Sequence, residues 1–370
     1  MIRINLSKGW VLAAFIGFCL LWALPSQAVE NTAVTVSGKG HLLQKVAEFE
    51  QFRLLGIAVS HEGRIFASAP LGDQPKVVEV MVSTGALKPF PDLSWNQEKG
   101  SAQHRWVVPQ ALWVDKQNHL WVLDSGKGQV APKLVEFSLI TGGMLRSYGF
   151  GSTVSAQDSL NDVRIDTKHH YAYLTNVGGI GGLVVLNLQT GESRQVLKGD
   201  PSTHSEAGQY LSIGDQPAIK GGKILILHAD GIALSHDEEW LYYRPLTDHN
   251  YWRIKTEALR NSTLSAESLS AKVQFLGKGP MTGGLIIDQN NTLYGGDLEH
   301  STVVAMKYSE QTGQLQTRLF ATSPELSWAD GFAIHDGYLY VADSHLWEYF
   351  FDNSRPISGP YAIFRTPLAP

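Results

Sequence analysis

The chain is 370 residues long and carries 30 lysines and arginines against 35 aspartates and glutamates, a formal charge of −5. That mildly acidic balance, with no basic stripe, argues against nucleic acid as a partner. Cys19 is the one cysteine, so neither a disulfide framework nor thiol chemistry is expected beyond the first few dozen residues.

The first 28 residues read as a secretory signal peptide. Arg3 and Lys8 form a positive start. Trp10 to Leu24 is an apolar run short of a membrane span, and Pro25-Ser26-Gln27-Ala28 ends in small residues. Cleavage after Ala28 predicts a secreted or periplasmic protein with no membrane anchor. It removes Arg3 and Lys8, leaving 28 basic and 35 acidic residues and a charge of −7. Residues 29–370 read as a single domain, because no Pro/Ser linker, charge block or low-complexity tract interrupts them. Residues 29–50 are a polar lead-in, placed to lend a strand to the last blade and close a ring.

From there one phrase recurs. It reads GIAVSHEGRIFASA at 56–69, ALWVDKQNHLWVLDS at 111–125 and VRIDTKHHYAYLTN at 163–176. It returns as GIALSHDEEWLYYR at 231–244, GLIIDQNNTLYGGD at 284–297 and GFAIHDGYLYVADS at 331–344. Each copy is an apolar run, a tight polar turn and a second apolar-aromatic run, which is a β-hairpin written in turn chemistry. Outer pairs follow at 133–150, 182–198 and 303–320, each reversing at a Thr-Gly or Gly-Glu step. A repeat of about 57 residues holds four strands and their turns. The sequence therefore predicts an all-β, six-bladed β-propeller with four-stranded blades around a central channel; five or seven blades are the structural alternatives. Helical periodicity is confined to a short stretch near 252–260. Residues 198–222 show no strand pattern and are expected to drape over one face.

In a propeller the inner strand of each blade lines the channel. Residues just before that strand and just after its hairpin partner gather at one mouth. Those positions are Pro109, Gln110 and Asp124 in blade two; Asn161, Asp162 and Asn176 in blade three; and Asp230 and Arg244 in blade four. Blade five supplies Thr282, Gly283 and Asp297, and blade six supplies Asp330, Asp343, Ser344 and His345. Blade one offers Leu55, Gly56 and Ala69, with no charge. A ring of carboxylates and amides suits a polar ligand or a hard cation such as Ca²⁺, with Asn161, Asp230 and Asp330 as the expected metal ligands. Capping of strand-end turns is the structural alternative for each of them. Trp106 and Trp328 precede inner strands and are the expected stacking residues; the other tryptophans should wedge between blades.

Several phrases in order resemble one family. WVVPQALWVDKQNHLWVLDSG, AYLTNVGGIGGLVVLNLQTGES, HADGIALSHDEEWLYYRPLTDHNYWRIKTEAL and ELSWADGFAIHDGYLYVADSHL are similar to signatures of the royal-jelly/yellow family, over about residues 45 to 350. The resemblance implies a six-bladed propeller, small-molecule binding and, in some insect members, conversion of dopachrome. A more distant similarity links the chain to the gluconolactonase/senescence-marker family, which implies a divalent metal. There Leu160-Asn161-Asp162 matches the blade-three ligand element, and Asp230 stands for the blade-four Asn. Leu55-Gly56 and Thr282-Gly283 replace the expected blade-one Glu and blade-five Asp.

Four functions follow as expectations. The first is a secreted binder of a small aromatic or amine-bearing molecule, using Trp106, Asp124, Asn161, Asn176, Arg244, Asp297, Trp328 and Asp343. The second is a tautomerase or isomerase with Asp230, Asp330 and His345 as its catalytic groups. The third is a calcium-type lactonase or esterase, and the fourth a protein-interaction scaffold.

Overall fold

The computed structural model describes residues 36–368, apart from Ser37, Asp73, Gly214, Asp215, Arg355, Ile357 and Ser358. The signal-peptide expectation for residues 1–28 lies outside the described residues.

Each recurring phrase folds as the inner hairpin of a blade. Blade two runs Pro109–Val114, His119–Asp124, Lys133–Ser138 and Met144–Gly149, all antiparallel neighbours. Blade three is Leu160–Asp166, Tyr171–Asn176, Gly182–Asn187 and Ser193–Val196. Blades one and four begin at Ile57–Val59 and Ala229–Leu234. Blade five begins at Thr282–Ile287 and gains a fifth strand, because His41–Leu42 pairs in parallel with Gln314–Thr322. Blade six takes its outermost strand, Gln44–Phe49, from the other end of the chain; it pairs antiparallel with Tyr361–Pro367. The lead-in thus closes the ring as the sequence predicts. Inner strands touch their neighbours all the way round, from blade one through blade six and back.

Turn chemistry explains why these hairpins form where they do. The second residue of each turn pair adopts a positive φ: Gly63 (80°), Asn118 (61°), Glu238 (63°) and Asn291 (59°), with Asp336 (47°) and Gly337 (74°) both so in blade six. Gly, Asn and Asp tolerate that region best, and a two-residue reversal requires it. Ahead of three turns an Asp ends the inner strand and ties the turn down. Asp115 Oδ1 accepts the backbone N–H groups of Gln117 (2.8 Å) and His119 (2.9 Å), while its Oδ2 accepts Trp121 Nε1 (2.8 Å). Asp288 repeats this with Asn290, Thr292 and the Tyr294 hydroxyl, and Asp166 with His169 and the Tyr173 hydroxyl.

Stability resides between blades, where apolar faces of adjacent sheets interdigitate. Ala58, Phe66 and Val77 of blade one meet Leu112, Val122 and Phe137 of blade two, for example. A further cluster lies outside this series. Leu211, Leu246, Trp328, Trp347 and Phe351 pack together from the segment after blade three and the loop of blade six. The segment expected to be strand-free contains two short ladders, Ser212–Ile213 with Gln216–Pro217 and Ile219–Lys220 with Lys223–Ile224. Both are pinned to blade six, the first by Asn353 Nδ2 donating to Pro217 O (3.0 Å) and the second by Asp352 N donating to Ile219 O (2.7 Å). The short helix Thr256–Arg260 falls inside the stretch that showed helical periodicity. Among the described residues, no helix is long and apolar enough to cross a membrane.

Candidate functional site

One structural device positions the site. In five of the six inner strands the register slips at the same end: between Pro109 and Ala111, Leu160 and Val163, Ala229 and Ile232, Thr282 and Leu285, and Ala329 and Phe332. Each slip is a bulge, with one more residue on the inner strand than on its partner. A bulge breaks the in-out alternation and re-aims side chains. The residues so displaced include Gln110, Asn161, Asp162, Asp230 and Asp330, all of which face one cavity. Glycine at the next position lets neighbouring strands touch there. A Cβ on Gly331 would sit 2.6 Å from Leu55 O, and one on Gly284 would run into Asp330 O.

The cavity has a volume of about 310 Å³, within the range of small-molecule sites. Its floor is polar. Gln110 Nε2 donates to Asn161 Oδ1 (3.0 Å), and the Asn161 amide in turn bonds the Asp230 carboxyl. Asp162 Oδ1 accepts from Arg164 Nη1 (2.7 Å). Arg164 also donates to Val163 O and Leu285 O, and it stacks 4.4 Å over the Trp113 ring. The walls are apolar: Leu71, Leu227, Leu246, Trp328, Phe350 and Phe351. Three of them, Leu227, Phe350 and Phe351, come from the segment after blade three and the loop of blade six.

Charge here is unbalanced. Arg164 is spent on Asp162 and two carbonyls. Arg244, fully buried, gives its N–H groups to Thr282, Leu246 and Asp248 carbonyls. Among the described residues no ion pair reaches Asp230 or Asp330. Burial, followed by the charges of Asp330 and Asp162, holds the Asp230 carboxyl well above the ordinary carboxylate range. Burial and the charge of Asp162 push Asp330 up to about 7. Burial also raises Asp162, against the pull of Arg164. Three carboxylates and one guanidinium therefore share a water-poor floor. Such a group either retains protons or receives a cation.

The structure brings Asn161, Asp230, Asp330 and Trp328 together at this cavity. It places the other sequence-selected residues elsewhere. Asp124 accepts Val107 N and Val108 N (both 2.8 Å) and Lys133 Nζ (2.7 Å). Asn176 Oδ1 accepts Ser159 N (2.8 Å), and Asp343 accepts Ser327 N (3.0 Å) and Trp328 N (2.8 Å). Asp297 holds His300 Nδ1 (2.8 Å). The reason is common to all four. The last residue of the second strand lies beside the loop that leads into its own inner strand or out of the hairpin, and it caps free N–H groups there. Arg244 serves carbonyls, as above. Trp106 is fully buried between blades one and two, its Nε1 donating to Phe90 O (2.9 Å). His345 is buried between Asp343 (3.3 Å) and Glu348 (3.4 Å), outside the cavity lining.

Arg164 belongs to the site although positional counting does not reach it, and Asp162, which that counting places at this mouth, is its partner there. Arg164 had a legible signal, a lone charge inside the apolar run of an inner strand. Among the described residues, Asp115, His119 and Glu136 are the one trio whose ligand atoms lie within 4.8 Å of one another. Asp115 is committed to its turn, and Glu136 holds His119 Nδ1 (2.8 Å), so hairpin hydrogen bonding accounts for this trio.

A six-bladed propeller with a carboxylate-floored mouth is thus the class of protein defined by the fold. Comparison with known proteins sharpens this. The Major royal jelly protein family profile matches residues 107–367, and the chain belongs to that family. Major royal jelly protein 3 of Apis mellifera is 25% identical over 238 residues, covering 60% of this chain and 41% of that protein. The chain spans about half the length, or less, of the curated relatives it matches. Among solved structures, a luciferin-regenerating enzyme superposes with a TM-score of 0.56 at 13% identity, covering 89% of this chain and 96% of that one. A gluconolactonase from Xanthomonas campestris gives 0.53 at 13% identity, covering 90% and 93%. At those identities the likeness speaks for the fold alone.

Proposed function

We propose that the bulged mouth binds a small, amine-bearing aromatic molecule in a secreted or periplasmic protein. One observation carries the reading: Asp230, buried, and Asp330, half-buried, have no cation of their own among the described residues, on the floor of a cavity with Leu, Phe and Trp walls. An ammonium group would be received by Asp230, Asp330 and the Asn161 oxygen. Its ring would lie against Trp328, Phe350 and Phe351. In the free state the raised pKa values keep a proton on this pair near neutral pH, so amine binding expels it.

The test compares tyramine with 4-hydroxyphenylacetate, which keeps the ring and reverses the charge, by titration calorimetry at pH 7.5. Tyramine should bind one to one, and Asp230→Asn and Asp330→Asn should each weaken it at least tenfold. Binding of the acid in preference to the amine sinks the reading.

The oxygen-only donor set also fits a hard cation, and calcium would be held by Asn161, Asp230 and Asp330. It would supply a Lewis acid to polarise a lactone or ester carbonyl. Blade one and blade five present Leu55, Gly56 and Gly284 to the cavity instead of oxygen side chains. Three protein ligands, from blades three, four and six, fall short of the six to eight oxygens calcium prefers, whereas an ammonium is satisfied by three acceptors. Calcium titration with thermal unfolding separates the two readings. Asp330, held near 7, is poised for proton transfer at neutral pH, which keeps a tautomerase activity open to direct assay on a bound amine.

A further inference from the structure

The opposite end of the channel holds a cavity of about 560 Å³, ringed by the hairpin turns. We infer that this turn end is a second binding site, for an uncharged, flat apolar molecule bearing one hydrogen-bond acceptor. Its occupant is independent of whatever binds at the bulged mouth.

The walls of this cavity are the inner strands themselves, with Ile57, Ile165, Ile286 and Phe332 among them. The lining carboxylates are occupied. Asp115 and Asp288 spend both oxygens on their own turns. Glu238 accepts Thr167 Oγ1 (3.0 Å) and Lys168 N (2.9 Å) and pairs with Lys116 (3.1 Å). Each of these carboxylates is therefore already supplied with donors, and a cationic guest would have to displace them. A neutral apolar guest gains from the walls in proportion to the area it removes from water.

Two features give the guest a shape and a handle. Trp113 lines the cavity while Arg164 is stacked against its ring, 4.4 Å away. With a cation already on the indole, a second cation is disfavoured, and a flat neutral ring is the better partner. At the rim Lys116 reaches from blade two towards blade four, donating to His236 O (2.7 Å) and pairing with Glu238. An ammonium has three N–H groups. The third is left for a carbonyl or ether oxygen of the guest.

The experiment uses three probes that share a naphthalene ring: 2-acetonaphthone (neutral, with an acceptor), 2-naphthoate and 2-naphthylmethylamine. Binding to the full chain is followed by calorimetry and by quenching of tryptophan fluorescence. The neutral ketone should bind one to one at this end. Ile287→Trp, which fills the bore from a partly exposed position, should weaken it at least tenfold, and Lys116→Met should weaken it severalfold. Asp230→Asn at the other mouth should leave it unchanged. If Ile287→Trp does not fold, Ile334→Phe fills the same cavity from another blade. Quenching should also fall in Trp113→Phe. The inference is overturned if the ketone does not bind or if either charged probe displaces it from this end. It is also overturned if the filling variants bind the ketone as wild type does, or if Asp230→Asn abolishes its binding.

Discussion

The two ends of the channel use the same residue type to opposite effect. At the turn end, Asp115, Asp166 and Asp288 close the inner strands, and backbone and aromatic donors meet their oxygens. At the bulged end, Asp230 and Asp330 sit instead beside other carboxylates, and burial together with those like charges raises both above the ordinary carboxylate range. A buried carboxylate met by two or three donors is part of the scaffold. One buried beside other carboxylates is a site waiting for a proton or a cation. The difference lies in the local backbone: a regular turn presents N–H groups to the side chain, whereas a bulge turns it towards the channel.

Arg164 stands between the two ends, bonded to Asp162 and stacked on Trp113. Replacing it breaks the comparison most severely. Arg164→Met should cost about 3–5 kcal/mol of stability in urea unfolding, because it strands the Asp162 charge without a partner. Adding Asp162→Asn should recover a good part of that loss. Failure of the second substitution to help would show that the stacking, rather than the ion pair, matters.

The pH dependence separates the ends next. Asp330 binds its proton more tightly folded than unfolded. Its contribution is therefore fully present below the unfolded value, near 4, and is lost as pH rises through about 7. Wild type and Asp330→Asn should be nearly equal in stability below about pH 4. By pH 8 the wild type should have fallen behind by up to about 4 kcal/mol, the equivalent of that displacement. A gap that does not widen with pH would remove Asp330 from the uncompensated set.

At the turn end the sign reverses. Asp115→Ala leaves Trp121 Nε1 and two turn amides without their acceptor, so it should destabilise by about 2 kcal/mol. The Asn variant should recover part of this, since an amide oxygen still serves the turn. A stabilised Asp115→Ala would place this carboxylate with those of the other mouth.

The fold was legible because hairpin turns and apolar alternation are local signals. The Glu-Gly, Gln-Asn, Asp-Glu, Asn-Asn and Asp-Gly pairs mark the reversals, and each copy brings its own. The site was legible only in part. Counting from strand starts found Asn161, Asp230 and Asp330, since a bulge occurs near the same offset in five of the six repeats. The same counting also gathered Asp124, Asn176, Asp297 and Asp343, because sequence places both ends of a hairpin at one mouth without saying where the side chains turn. Whether a carboxylate caps its own loop or faces a cavity depends on a one-residue register slip, and composition does not encode that. Arg164 carried a signal that positional counting passed over. The second cavity gave none, because an apolar bore and a filled channel read alike.

The smallest stability effect gives the finest test. Burial and the charges of Asp330 and Asp162 favour the protonated form of Asp230, and Asn has nearly the shape of that form. The Asn carbonyl oxygen can take the bond from Asn161. Asp230→Asn should therefore change stability by no more than about 1 kcal/mol, within the range of substitutions that disturb no packing. Binding should respond far more. If an amine displaces the proton from the Asp230–Asp330 pair, tyramine binding to wild type releases protons, and its apparent enthalpy varies with the ionisation enthalpy of the buffer. In Asp230→Asn that variation should shrink along with the affinity. A variant that binds as tightly and releases as many protons would move the proton, and the binding site with it, away from Asp230.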